Sequence, residues 1–424
     1  MSDPDASADG GPATTPPLPP PPPGAATALP PPLPGVAAPG APAAADWTLP
    51  PPGASRRARR WPWVIVGFVA LVLLAALIAA HQTVNYYVIT PGNATPVAQY
   101  IDVPAADNHP LTGKILLTDV FVSQLNALSY LQYRFFDSND EIYPSQVLLD
   151  GATNEAEFTD QGYLQMTQAQ SYATAAALSH LGYTVNATNA GILVYGIAPG
   201  SPAAKTLQVA QVITAVDGTP TPTVCGLLET LHQYTPGTTV TLSVEQSSIN
   251  QFGTFVKGPV VPKPITLAAA PKGPAITGCG APITQTTVIG IIPQTQQDWQ
   301  FPVDVTVHTQ DIGGPSAGLA MTLGIIDKLS SGRLIGHRIV AATGTIDQYG
   351  NVGDVGGVAE KTIAVENAGA TVFFVPKVEL KTAEAKASPQ LHVYAVSNLD
   401  QVLRILKRLG GTVTTNPVPA QAAP

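Results

Sequence analysis

Apolar and polar positions alternate along this chain in stretches of unlike character. The first 60 residues show no periodic apolar pattern, and an uncharged apolar run then extends from Trp61 to Ala80. Twenty residues rising ~1.5 Å each give a helix about 30 Å long, the thickness of a bilayer's hydrocarbon core. Pro62 falls in the first turn, where a missing N–H does no harm. From Val84 to Gln170 strand and helix signals mix. Tyr86–Ile89 and Lys114–Val122 are rich in β-branched and aromatic residues and predict strands. The Ala-rich segment Gln168–Leu181 predicts a helix. Beyond it, Gly191–Ala204 reads as strand, turn and short helix, and Val212–Gly218 as a strand closed by a tight turn. Val224–Gln233 predicts a helix and Thr239–Glu245 a strand. The last third predicts a strand at Val303–Thr309, a largely apolar and therefore buried helix at Ala317–Leu329, and a strand at Ile339–Thr345. A closing helix follows, with Leu399, Val402, Leu403, Leu406 and Leu409 on one face and Ser397 or Asn398 as its cap.

Composition changes the picture mainly at the N-terminus. Sixteen of the first 50 residues are proline. Such a segment cannot bury enough apolar surface to offset its ordering entropy, so residues 1–60 are expected to be a disordered tail with polyproline II character. Arg56, Arg57, Arg59 and Arg60 end it, and no further Lys or Arg occurs until Lys114. Positive residues stay on the cytoplasmic side, which predicts a cytoplasmic tail, a membrane span over 61–81 and an extracytoplasmic remainder. Trp61 and Trp63 at one end, and Tyr86 and Tyr87 at the other, suit the two interfaces. The long tail and the length of the run distinguish this span from a cleaved signal peptide.

The net charge of −8 is thinly spread, with no basic patch beyond the anchor, which excludes nucleic-acid binding. No Gly-x-x-x-x-Gly-Lys-Ser/Thr sequence occurs, so no nucleotide partner is expected. Cys225 and Cys279 both fall on the oxidising side, where a bridge between them and two separate thiols are both open. Neither has a second Cys or His at ligand spacing, so no metal and no other cofactor is expected.

Candidate chemistry concentrates in Gly313-Gly314-Pro315-Ser316-Ala317-Gly318 and in Gly356-Gly357-Val358-Ala359-Glu360-Lys361. A serine at the mouth of a helix exposes its oxygen, and the helix dipole favours negative charge beside it. No histidine stands in a familiar relation to Ser316. A buried lysine can replace it as base, because desolvation lowers the lysine pKa. Taken singly, Ser316 would be an ordinary helix cap and Lys361 a solvated surface residue. Gly314–Gly318 also satisfies the Gly-x-Ser-x-Gly elbow of α/β-hydrolases. That elbow needs a strand running straight into the serine, and the apolar alternation stops near Thr309.

Both segments resemble the proteolytic domain of Lon proteases, over roughly Thr286 to Leu409. Five blocks carry the resemblance in order: Val303–Thr309; Pro315-Ser316-Ala317-Gly318 with its helix; Ala342-Thr343-Gly344-Thr345-Ile346; Gly356–Lys361; and Ala368–Pro376. The resemblance implies a serine endopeptidase in which Ser316 is the nucleophile, Lys361 the general base and Thr343 a supporting hydroxyl. The backbone N–H groups of Gly314 and Ser316 would stabilise the oxyanion. Lon usually carries Asp where this chain has Gly313; membrane-anchored, PDZ-containing Lon-like proteins commonly have glycine there. The lack of an ATPase module implies ATP-independent cleavage of flexible or misfolded extracytoplasmic chains. The resemblance also allows a homo-oligomer.

Tyr183–Ala268 resembles a PDZ domain of bacterial proteases. Such domains bind an extended peptide along a strand edge, with backbone N–H groups holding its C-terminal carboxylate. Carried over, Gly191 and Ile192 would hold the carboxylate, and Leu193 and Val194 would line the groove. The expected architecture is therefore an α/β (α+β) Lon-type domain at 284–410 preceded by a β-rich PDZ-like domain at 183–268. A juxtamembrane α/β region at 82–180 would act as spacer, and 411–424 would be a flexible tail. The rival reading from another class is a membrane-tethered PDZ peptide-binding scaffold whose Lon-like domain is inert.

Overall fold

The architecture comes from a computed structural model, which describes residues 61–412 except 106–107, 137–140, 150–151, 153, 281 and 331–332. The expected tails at 1–60 and 411–424 lie outside the described residues, apart from 411–412.

Helix α1 (Trp61–His81) contains no buried residue and is long and apolar enough to cross a membrane. Strands β1 (Thr83–Pro96) and β2 (Lys114–Asn126), helix α2 (Ala127–Phe136), strand β3 (Glu141–Pro144) and the 26-residue helix α3 (Glu155–His180) follow. Asn154 caps α3 by accepting from the Glu157 N–H at 3.0 Å. Then come β4 (Asn186–Ile197), β5 (Val212–Val216), α4 (Val224–His232), β6 (Thr239–Glu245), β7 (Val260–Thr266) and β8 (Ile291–Gln300). The last part contains α5 (Gly318–Leu329), β9 (Ile339–Ala342), α6 (Val358–Asn367), β10 (Val372–Pro376), β11 (His392–Val396) and α7 (Leu399–Arg408). Of the two caps open for α7, the chain uses Asn398, whose side chain accepts from the Gln401 N–H at 3.0 Å. The strand expected at Val303–Thr309 shortens to Thr306–Val307, which pairs with Ile101–Asp102.

One mixed sheet has the order β11-β10-β9-β2-β1-β3. β9 lies parallel to β2 (Ile339 opposite Lys114, Ala342 opposite Leu117) and parallel to β10, while β1 runs antiparallel to β2. Both faces of the central strands are covered, so they read as continuous apolar runs rather than alternating ones. Successive residues still point to opposite sides. Leu117, Ala342 and Phe374 join the core under α3, α5 and α7; Leu116, Ala341 and Phe373 join the core under α6.

This sheet corrects the expected domain division. Residues 82–180 are not a separate spacer, because β1, β2 and α3 belong to the same sheet and core as the serine and lysine segments. A second, antiparallel sheet has the order β7-β6-β5-β4-β8. It closes its own core of Ile192, Val194, Ile213, Val240, Leu242 and Val244 against Leu227 and Leu231 of α4. This PDZ-like unit is thus inserted between α3 and α5 of the first fold, and it extends past the expected limit at 268 to include β8. Cys225 and Cys279, left open by the sequence, form a disulfide that ties α4 to the segment after β7.

Candidate active site

Ser316 stands in the turn that enters α5, half-buried, while Ala317 and all of α5 except Lys328 are buried. Its carbonyl is held from the segment just after β9: the Gly344 N–H donates to it at 2.9 Å and the Thr343 hydroxyl at 3.3 Å. Through this bond the Thr343 hydroxyl, expected as a supporting group, fixes the serine's backbone. The preceding loop lies against α3. Gly314 adopts φ +86°, and a Cβ on Gly313 would come within 3.3 Å of the backbone of Gly162. Glycine fits that close approach of two backbones, whereas the Asp that Lon usually carries there would need a few tenths of an ångström of movement. Gln310 and Asp311 also have positive φ, so the entry to the turn is conformationally strained.

The Gly314 N–H donates to the Gly162 carbonyl at 2.8 Å, so it is committed within the fold and cannot serve as the oxyanion donor expected of it. The Ser316 N–H has no intrachain partner among the described residues, as befits the unsatisfied first turn of a helix.

Lys361 lies in the first turns of α6. Gly357, with φ +66°, starts the helix, and a Cβ there would meet a Val120 methyl at 3.0 Å. The close packing on β2 leaves Lys361 only 2% exposed. Burial pushes its ammonium down from 10.5 to about 8, while Asp119, Glu379 and Glu360 pull it part of the way back. A group needed in its neutral form then works better as pH rises to about 8. Any turnover depending on neutral Lys361 is expected to fall about tenfold per pH unit below that value and to level off above it. A pH–rate profile of kcat/KM checks this, and a flat profile between pH 6 and 8 would contradict it.

Ser316 and Lys361 line one cavity of about 380 Å³. Among the described residues neither side chain hydrogen-bonds the other, a contact that often tightens only with substrate bound. The other walls come largely from residues 82–180, expected to be a spacer: Asp119 and Phe121 of β2 and Phe158 and Tyr163 of α3, joined by Tyr195 of β4. Asp119 accepts from the Asn93 N–H at 2.7 Å and faces the lysine's charge. One signal for it was present, an acid within the apolar run Leu116-Leu117-Thr118-Asp119-Val120-Phe121, since an Asp placed there requires a reason.

The expected peptide edge at Gly191, Ile192, Leu193 and Val194 is also corrected. β4 is an interior strand, with Ile192 opposite Ile213 of β5 on one side and Thr295 of β8 on the other. Ile192 and Val194 are fully buried. The sheet ends instead at β8, beside α4, where the Val224 N–H donates to the Thr295 hydroxyl at 3.3 Å.

Residues 286–408 match the family model of the Lon protease (S16) C-terminal proteolytic domain. This stretch is a Lon-type proteolytic domain. Residues 179–251 match the PDZ domain. The Lon protease of Chloroflexus aggregans is 33% identical over 119 residues, 27% of this chain and 14% of the relative. That of Roseiflexus castenholzii is 35% identical over 115 residues, 26% of this chain and 14% of the relative. The chain therefore spans about one seventh of the length of these relatives. Among solved structures, the PDZ domain of an SdrC-like protein from Listeria monocytogenes is 22% identical and covers 25% of this chain and 90% of that one, with a TM-score of 0.19. The Lon-type match begins just before β8 and leaves out β1, β2 and α3, which share its sheet and core.

Proposed function

We propose that this protein is a membrane-anchored serine endopeptidase that cleaves extracytoplasmic chains without ATP, using Ser316 as nucleophile and Lys361 as base. The observation that carries this reading is the burial of Lys361 in the cavity that Ser316 lines, with its pKa brought down to about 8. At neutral pH about one lysine in ten is then uncharged, against fewer than one in a thousand for a solvated lysine. Neutral Nζ takes the proton of Ser316 Oγ as Oγ attacks the scissile carbonyl. The Ser316 N–H faces the oxygen that becomes negative. Nζ then gives the proton to the leaving amine, which leaves an acyl-enzyme and a free new N-terminus. A water that loses its proton to Nζ hydrolyses the ester and restores the serine.

The cavity walls suggest the side chain it accepts. Phe121, Phe158, Ile312 and Met166 offer apolar contact, while Asp119, Glu155 and Asp311 disfavour an acidic residue. Recruitment fits the free edge of β8, which can pair with an extended peptide next to α4. The arginines before α1 support a catalytic part outside the cytoplasm.

The test uses the full chain in lipid nanodiscs, without nucleotide. A fluorophosphonate probe is expected to modify Ser316, found by mapping the labelled peptide, and to stop cleavage of an unfolded, dye-quenched protein. Unlabelled Ser316 together with unchanged turnover would refute the assignment.

A further inference from the structure

Helix α2 carries its polarity reversed. Leu128, Leu131 and Phe135 recur at i, i+3 and i+7 and form one stripe, with Phe136 adjoining it. This stripe faces outward: Phe135 is 73% and Phe136 88% exposed, and both leucines are exposed as well. The hydroxyl-bearing Ser129, Tyr130 and Tyr133 are instead half-buried, with Ala127, and Tyr130 packs against Tyr86 of β1 with ring centroids 4.8 Å apart. A helix on a water-facing surface would show the opposite arrangement. Its one charged residue is Arg134, at the border of the stripe.

The place of α2 in the fold indicates what covers it. Gln82, one residue past α1, accepts the Ala127 N–H at 2.8 Å, and Thr83 pairs with Asn126. α2 therefore starts one hydrogen bond from the end of the apolar helix and is about 15 Å long. Its whole stripe lies within reach of the surface from which that helix emerges.

We propose that α2 is an interfacial helix that lays Leu128, Leu131, Phe135 and Phe136 into the outer face of the bilayer holding α1. The stripe supplies the apolar side, and Arg134 can reach lipid phosphates from its border. The contact would fix the catalytic domain at the membrane surface rather than leave it swinging on a single tether. Its occupant is lipid rather than a second copy of the chain, because α2 starts one hydrogen bond from the end of the span. The inference rests on reading α1 as a span.

The experiment uses the full chain in phosphatidylcholine–phosphatidylglycerol nanodiscs, carrying the environment-sensitive dye NBD at Phe135→Cys, with Tyr349→Cys as control. Both positions are highly exposed, so neither label disturbs packing. The expected result is blue-shifted emission at 135, quenched by lipids with a spin label high on the acyl chain, and water-like, unquenched emission at 349. Chains that co-elute with discs but give a water-like, unquenched 135 label overturn the inference alone. Shielding at 135 that ignores the lipid quencher and vanishes at one chain per disc assigns the stripe to a second copy and also overturns it. Chains that do not co-elute with discs overturn the span reading and this inference together.

Discussion

Replacing Ser316 with alanine is expected to lower peptide cleavage by ~10³-fold or more, and replacing Lys361 with methionine by ~10²–10⁴-fold. The serine change removes the attacking oxygen; Ser316 is half-buried and its backbone is held through the Gly344 N–H, so the fold should be kept. The lysine change removes the proton acceptor while keeping the buried volume. Steady-state kcat/KM on a dye-quenched substrate measures both. The lysine variant carries a second signature. Burying the ammonium of Lys361 costs free energy, as its lowered pKa records, so an apolar residue of similar size should leave the melting temperature at pH 7 unchanged or raise it. The sign follows from linkage. The unfolded lysine titrates near 10.5 and the folded one near 8, so between these values the unfolded state binds more protons and stability rises with pH in the parent protein. The methionine variant should lose that rise together with the pH-dependent limb of the rate profile. Full activity in either folded variant would end the dyad assignment.

The second large effect concerns the fold. A fragment of residues 284–410, which contains the whole of the Lon-type match, is expected to stay unfolded on its own. Its sheet would keep only β9, β10 and β11 and would lose β2, against which β9 pairs along its whole length. Helix α5 would lose α3, whose Met166, Ala169, Ala173 and Ala177 share its core. The same dependence can be measured by one substitution in the intact chain. Leu117 of β2 is fully buried in the core shared with Leu319, Val340 and Phe374, so Leu117→Ala should cost about 2–5 kcal/mol. Far-ultraviolet circular dichroism of the fragment and denaturant unfolding of the variant decide this. A cooperatively folded fragment, or a Leu117 variant as stable as the parent, would restore the division at 284.

The sequence by itself determined what local pattern encodes. The uncharged run at Trp61–Ala80 produced α1, the 3.6-residue periodicity of Leu399–Leu406 produced α7, and Thr239–Glu245 was delimited by its β-branched alternation. The Gly-Pro-Ser-Ala-Gly turn and the Gly-Gly start of the lysine helix were legible because backbone conformation restricts such positions to few residue types. Tertiary structure decided everything that depends on which strand lies beside which. β4 has the composition of either an edge or a buried strand, and only its pairing with β8, about a hundred residues later, makes it interior. The Gly314 N–H was a reasonable oxyanion donor until α3 brought the Gly162 carbonyl to it. Phe158 and Tyr163 look unremarkable in sequence, and Asp119 stands out there only as an acid in an apolar run; all three become cavity walls because β2 pairs with β9 and α3 packs on α5. The physical reason is range: propensity and periodicity act within a few turns, whereas sheet order and cavity walls are set by contacts between residues far apart in the chain, such as Lys114 and Ile339, which a single sequence does not display.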